Sequence, residues 1–254
     1  VKKSVAINYT PHEASARLAG STLLVRPMKV QPPGDFYQTV IPCSRGSNPF
    51  YWEFAKRGVL GSQDCSVEPM RLESPFGTPG TLLVGRERWS VPPDLNKVAP
   101  QNIWDPHTHI GGGVVALPNY KIDYPSWDPW PGTKWRPAFH MPRWAVRLLD
   151  RVVKVEVRRV QTVTEEEAFA SGIPRIISCP GCHGDEEGCC VCEHSGRVRV
   201  GGMSQFTAHG AFQDAFDSSQ GKGSWDLNPW AWFITTEPVA RANAEAQKYL
   251  KENA

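Results

Sequence analysis

A chain of 254 residues is long enough to bury a substantial core, and its net charge of +2 is too small to demand a polyanionic partner, so any nucleic-acid contact must come from a local patch. The 23 prolines and 22 glycines cut it into short elements, which favours a loop-rich β or α+β protein over a helical bundle. No apolar run approaches the roughly 20 residues of a bilayer span, and the opening VKKSVAINYTPHE lacks the apolar core of a signal peptide; an intracellular, soluble protein is expected.

Taken in order, residues 11–20 predict a short helix opened by Pro11, capped by Thr10 and closed by Gly20, followed by a strand from Thr22 to Arg26. Residues 27–80 are rich in proline, glycine and serine, which predicts long loops with one strand near YWEFA. TLLVGRERW (81–89) reads as a strand with a polar end. Residues 90–133 lack periodicity and predict an extended loop region with a hairpin around VVALPNYKIDY.

From Trp144 to Val163 the pattern alternates, with Leu149, Val153, Val155 and Val157 expected on one buried face. Thr164 before EEE predicts a short capped helix through Ala170. MSQFTAHGAFQDAFDS predicts a helix carrying Phe206, Phe212 and Phe216, and NPWAWFITT a buried strand. The tail predicts a helix over 237–254, capped by Thr236 with Pro238 in its first turn and Ala242, Ala246, Tyr249 and Leu250 as its stripe.

Three motifs carry chemistry. In CPGCHGDEEGCCVC, Cys179 and Cys182 form one C-x2-C knuckle and Cys189 and Cys192 another; four thiolates so spaced can close a tetrahedral structural zinc site with no open position for water. Cys190 could replace Cys189, and His183 or His194 could replace a cysteine. Cys43 and Cys65 read as inert thiols, and Asp105, His107 and His109 as a loop with solvent-facing histidines in preference to a metal pair.

The second motif is Glu87, between Arg86 and Arg88 and before Trp89 at a strand end, where a carboxylate can act as a base, accept from the amino edge of a nucleobase, or simply form a surface ion pair. The third is KWRPAFHMPRWAVR (134–147). Trp135 and Trp144 offer flat faces, and Arg136, Arg143 and Arg147 forked donors, in a backbone stiffened by Pro137 and Pro142. Such a stretch suits stacking on a base beside a phosphate, or a core tryptophan pair with solvated arginines; Trp144 and the residues after it read as structural, whereas Trp135, Arg136 and His140 read as contacts.

In chain order, PHEASARLAG with VRPMKVQPP, PFGTPGTLLVGRERW, KWRPAFHMPRWAVR with VRRVQTVTEEEAFASGI, and GKGSWDLNPWAWFI together resemble the ASCH domains of the PUA-like superfamily, in particular the phage and prophage ASCH-like proteins often labelled morphogenetic. The resemblance implies a small PUA-like β-barrel with peripheral helices, and the zinc-knuckle segment sits where that family often carries a variable insertion, so the fold expected is α+β with long loops and that insertion. Residues 1–175 and 203–236 would form the ASCH domain, 176–202 the inserted zinc-binding module and 237–254 a C-terminal helix. It implies a cleft for RNA, single-stranded DNA or a modified nucleotide, in the cytoplasm of a bacterial host, onto which Glu87 and Arg26 carry over; with the clustering of basic and aromatic residues, Lys29, Arg86, Trp89, Trp135, Arg136, His140 and Arg143 are expected to line it too.

Some members remove an acetyl group from N4-acetylcytidine using a lysine, a threonine and a glutamate. Glu87 matches the glutamate, but GSTLLVR replaces the lysine-bearing loop, so hydrolysis would need a lysine from elsewhere, Lys29 or Lys134. A third reading is an assembly factor contacting a phage or host protein through residues 90–133, the zinc module and the tail helix.

Overall fold

The computed structural model describes residues 4–32, 36–39, 51–56, 70–104, 114–115, 117–178, 181, 197–200 and 207–252. The chain runs β1 (Ser4–Asn8), α1 (Pro11–Leu18), β2 (Leu23–Pro27), β3 (Phe36–Thr39), β4 (Tyr51–Lys56), β5 (Met70–Glu73), β6 (Leu82–Arg86), β7 (Trp89–Ser90), β8 (Ile103–Trp104), β9 (Val114–Val115) and β10 (Asn119–Tyr120). It continues through β11 (Leu148–Arg159), α2 (Glu165–Ala170), β12 (Ile176–Ser178), β13 (Arg197–Arg199), α3 (Ala208–Gln220), β14 (Trp230–Ala240) and α4 (Asn243–Glu252).

The fold is α+β. Its main sheet has five strands in the order β1-β6-β11-β14-β2, so β1 and β2 are its edges and the described strands do not close into a barrel. β1 pairs parallel to β6, with Ile7 opposite Gly85, and β6 pairs antiparallel to β11, with Gly85 opposite Leu148. Gly85 is there because a Cβ would come within 2.5 Å of the Tyr9 ring and 2.9 Å of the Leu148 Cβ.

Two compact units divide the chain. The first comprises residues 1–20, 75–154 and 235–254, and the second residues 21–74 and 155–234. The first unit packs Leu82, Val84, Trp89, Val91, Ile103, Tyr120, Val146 and Leu149 with Ala246 and Leu250 of α4. At its centre Asp150 is fully buried. It accepts from the Tyr9 hydroxyl at 3.0 Å and from Arg241, whose guanidinium also donates to the carbonyls of Arg17, Leu149 and Ala240, each at 2.9 Å. Burial, and after it the Asp150 charge, push the Tyr9 hydroxyl well above its usual range.

In the second unit the core is Leu23, Val160, Val163, Ile173, Phe212, Phe216, Trp225 and Phe233, with Trp225 edge-on to both phenylalanines of α3. Glu165 of α2 accepts from the Ala208 and His209 amides, at 2.8 and 3.3 Å, and so caps the start of α3. A three-stranded antiparallel sheet β3-β4-β5 also belongs here, as does the hairpin β12–β13, which sets Ser178 opposite Arg197.

Several sequence expectations need correction. No hairpin forms around VVALPNYKIDY: β9 pairs parallel to β8 and β10 pairs with β7. The expected buried face of β11 breaks at Val153, which is 49% exposed while its neighbour Val152 is buried; at 148–150 both faces are covered, so alternation carries no phase there. The tail helix does not begin at residue 237. Thr236 and Pro238 lie within β14, where Thr236 accepts from Arg17 Nη1 at 2.7 Å, and α4 starts at Asn243 with Ala246 and Leu250 buried and Ala242 exposed. A Thr-x-Pro signal for a helix start was outweighed by the buried apolar run that extends the strand.

Candidate nucleic-acid interface

In the first unit the polar end of the 81–89 segment is where β6 stops. Glu87 and Arg88 interrupt the ladder, and the chain re-enters it at β7, pairing Trp89 with Tyr120 on one side and bridging Arg136 on the other. Side chains alternate across such a ladder. Trp89, Tyr120 and Arg136 therefore share the inward face, and all three are buried.

Burial assigns Trp89 and Arg136 to the interior and removes them from the expected contact surface. Trp89 is 0% exposed and meets Trp144 edge-on, with ring centroids 6.0 Å apart. Arg136 lies over the Trp89 ring, and its Nη2 donates to the carbonyls of Leu95 and Val98, both at 2.9 Å, and of Asn96 at 3.4 Å. It closes the turn at 93–98; burial lowers its pKa.

Glu87 faces the same way and is also buried. Its two oxygens accept from Arg147 Nε at 2.8 Å and Nη2 at 2.9 Å, the two-pronged geometry that a guanidinium and a carboxylate share. Arg147 Nη1 reaches Asp123, at 2.8 Å to Oδ2 and 3.1 Å to Oδ1, and the guanidinium lies 3.8 Å above the Tyr120 ring centroid. Tyr120 in turn donates its hydroxyl to the Ala145 carbonyl at 2.8 Å.

One arginine thus bridges two carboxylates over an aromatic ring, with Asp123 at the solvent side. Burial raises the pKa of Glu87 above the ordinary carboxylate value, against the opposing pull of Arg147. Burial draws the Arg147 pKa down, but the bonds to Glu87 and Asp123 outweigh it and hold the guanidinium charged. Asn243 of α4 fixes the backbone before Arg147 by donating to the carbonyls of Trp144 and Val146, at 2.9 and 3.0 Å.

The accessible cations and rings lie elsewhere in the same unit. Trp135 is half-buried; its indole N–H donates to Asp128 Oδ1 at 2.6 Å, and Lys121 Nζ lies 5.0 Å from its ring centroid. Tyr124 stands between Trp135 and Trp127, edge-on to the latter at 4.7 Å. Trp127 and Phe139 are 60% and 58% exposed, and Phe139 packs on the exposed His140 with centroids 4.2 Å apart. Arg143 is exposed, and Arg86 is half-buried with Nη1 on the Phe139 carbonyl at 3.4 Å.

Arg26 and Lys29 belong to the second unit, Arg26 half-buried in β2 and Lys29 exposed just beyond it. Cys179, Cys182, Cys189 and Cys192 lie outside the described residues, as do Cys43, Cys65, Asp105, His107 and His109; among the described residues no group of three or more histidine, cysteine or acidic side chains could hold a metal ion. The hairpin β12–β13 brings the two ends of the cysteine-bearing segment together.

Sequence reasoning missed Lys121 and Asp123, and gave Arg147 no role at Glu87. Only the pairing of β10 with β7 and a contact across sixty residues assign them, and no local pattern carries either. No family model, curated protein or solved structure matches this chain. No helix among the described residues is long and apolar enough to cross a membrane.

Proposed function

We propose that this chain binds a single-stranded nucleic acid or a modified nucleotide through the accessible face around Trp135, on a scaffold of the PUA-like ASCH type. The observation that carries the reading is the clustering of Trp135, Tyr124 and the exposed Trp127 beside Lys121, with Phe139, His140 and Arg143 further along the same stretch of chain. Aromatic faces stack on any base, and neighbouring cations meet the phosphates. Asp128 holds the Trp135 ring by its N–H, so a base meets an oriented platform.

The test is fluorescence anisotropy of labelled RNA and single-stranded DNA oligonucleotides across a salt series. Binding is expected at low salt, weakening as salt rises, and falling by about 1–3 kcal/mol in Trp135→Ala. No binding at low salt overturns the reading.

Hydrolysis of an acylated base gains nothing from the geometry. Both oxygens of Glu87 are engaged by Arg147, and among the described residues no lysine pairs with it. The bacterial cytoplasm and a phage or host protein partner accompany the ASCH resemblance as proposals.

Cys179, Cys182, Cys189 and Cys192 are proposed to hold a structural zinc ion. The ladder that pairs Ser178 with Arg197 already closes the base of the segment, which suits four thiolates to one ion. Zinc would supply closure of that segment and no reactivity. Purified protein is expected to contain about one equivalent of zinc, absent from a Cys179→Ser, Cys182→Ser variant.

A further inference from the structure

We infer that Arg88 and Lys121 together hold a phosphate of the bound nucleotide beside the Trp135 ring, an assignment that rests on the nucleotide-binding reading above. Asn119 faces Ser90 and Tyr120 faces Trp89, and just past the end of this two-residue ladder the Lys121 amide donates to the Arg88 carbonyl at 2.9 Å. Arg88, immediately before β7, and Lys121, at the start of the 3-10 turn 121–123, are therefore held side by side by their backbones.

Arg88 sits between the buried Glu87 and Trp89 and is itself exposed, and Lys121 is half-buried. The bridge between Trp89 and Arg136 brings Trp135, the residue before Arg136, alongside this segment. The 5.0 Å between Lys121 Nζ and the Trp135 ring is the direct sign of that proximity. A fork-shaped donor, an ammonium and an indole plane are thus assembled beside a ladder whose inner side is packed core.

Two cations on backbones held this close repel each other, and a bound anion removes the repulsion. The described residues offer little internal compensation. Asp128 is 3.7 Å from Lys121, a long ion pair, and already accepts the Trp135 N–H at 2.6 Å; Arg88 has no ion pair among the described residues. Guanidinium and ammonium groups both bind phosphate, the first by paired hydrogen bonds and the second as a point charge. An indole at their side takes the base that the phosphate carries.

The experiment measures oligonucleotide affinity against salt for the intact chain and for Arg88→Gln, Lys121→Gln, the double variant, Trp135→Ala and, as a control on α4, Lys248→Gln. Removing one cation from a phosphate lowers the slope of log affinity on log salt by about one. The two single variants are expected to reduce the slope by about one unit each, with Lys121→Arg restoring it; Trp135→Ala should weaken binding with the slope intact, and Lys248→Gln should change neither. Binding by the intact chain with an unchanged slope in the double variant overturns the phosphate assignment and leaves the binding reading standing. No binding by the intact chain overturns both.

Discussion

Trp89 and Trp135 lie on neighbouring backbone in the first unit, yet one is sealed in the core and the other is half-open beside a lysine. The inner side of this short ladder joins Trp89, Tyr120 and Arg136 to the Glu87–Arg147–Asp123 bridge, where each charge is matched by a partner. On the outer side Arg88 lies beside Lys121, and of the two only Lys121 has an ion pair among the described residues, with Asp128 at 3.7 Å. Charges on the inside hold the fold, and the less compensated ones outside are available to a ligand. Residue type does not separate the two sides, since each has an arginine and a tryptophan.

Substitutions sharpen the contrast. Arg147→Ala strands the buried Glu87 carboxylate and releases Asp123, and is expected to destabilise the protein by about 3–5 kcal/mol in denaturant unfolding. Trp89→Ala should cost a comparable ~3–5 kcal/mol, whereas Trp135→Ala, on the open side, should cost only about 1 kcal/mol of folding stability while weakening oligonucleotide binding. Equal stability losses at the two tryptophans would erase the distinction between the faces.

A smaller effect is expected from pH. The pKa of Glu87 is raised in the folded state, so the folded protein holds that proton more tightly than the unfolded chain does. Its contribution to stability is largest below the ordinary glutamate pKa and declines as pH rises through the raised value. Glu87→Gln is expected to flatten this part of the stability profile measured by thermal unfolding, and an unchanged profile would mean that Glu87 is not the titrating group.

The locally determined parts of the fold were legible in the sequence. Thr10 and Thr164 each cap a helix and, with Glu13 and Glu167, close reciprocal capping boxes, because every atom involved lies within four residues. The strands around 23–27, 82–86 and 230–234 carry their own apolar runs. The illegible parts depended on distance or on very short strands. With two residues each, β7 and β10 give no periodic signal, so Trp89 and Arg136 read as surface residues when alternation turns them inward. The partnership of Glu87 with Arg147 needs the fold itself.

The Arg241 side chain has a consequence for the order of assembly. It ties β14 to the Arg17 carbonyl, 224 positions earlier in the chain, and to Leu149 and Asp150, while α4 completes the same core. As the polypeptide leaves the ribosome, the second unit, spanning 21–74 and 155–234, therefore has its full set of residues before the first unit, which still lacks its third segment. During synthesis, the unit that contains residues 1–20 is completed after the unit that is nested within it.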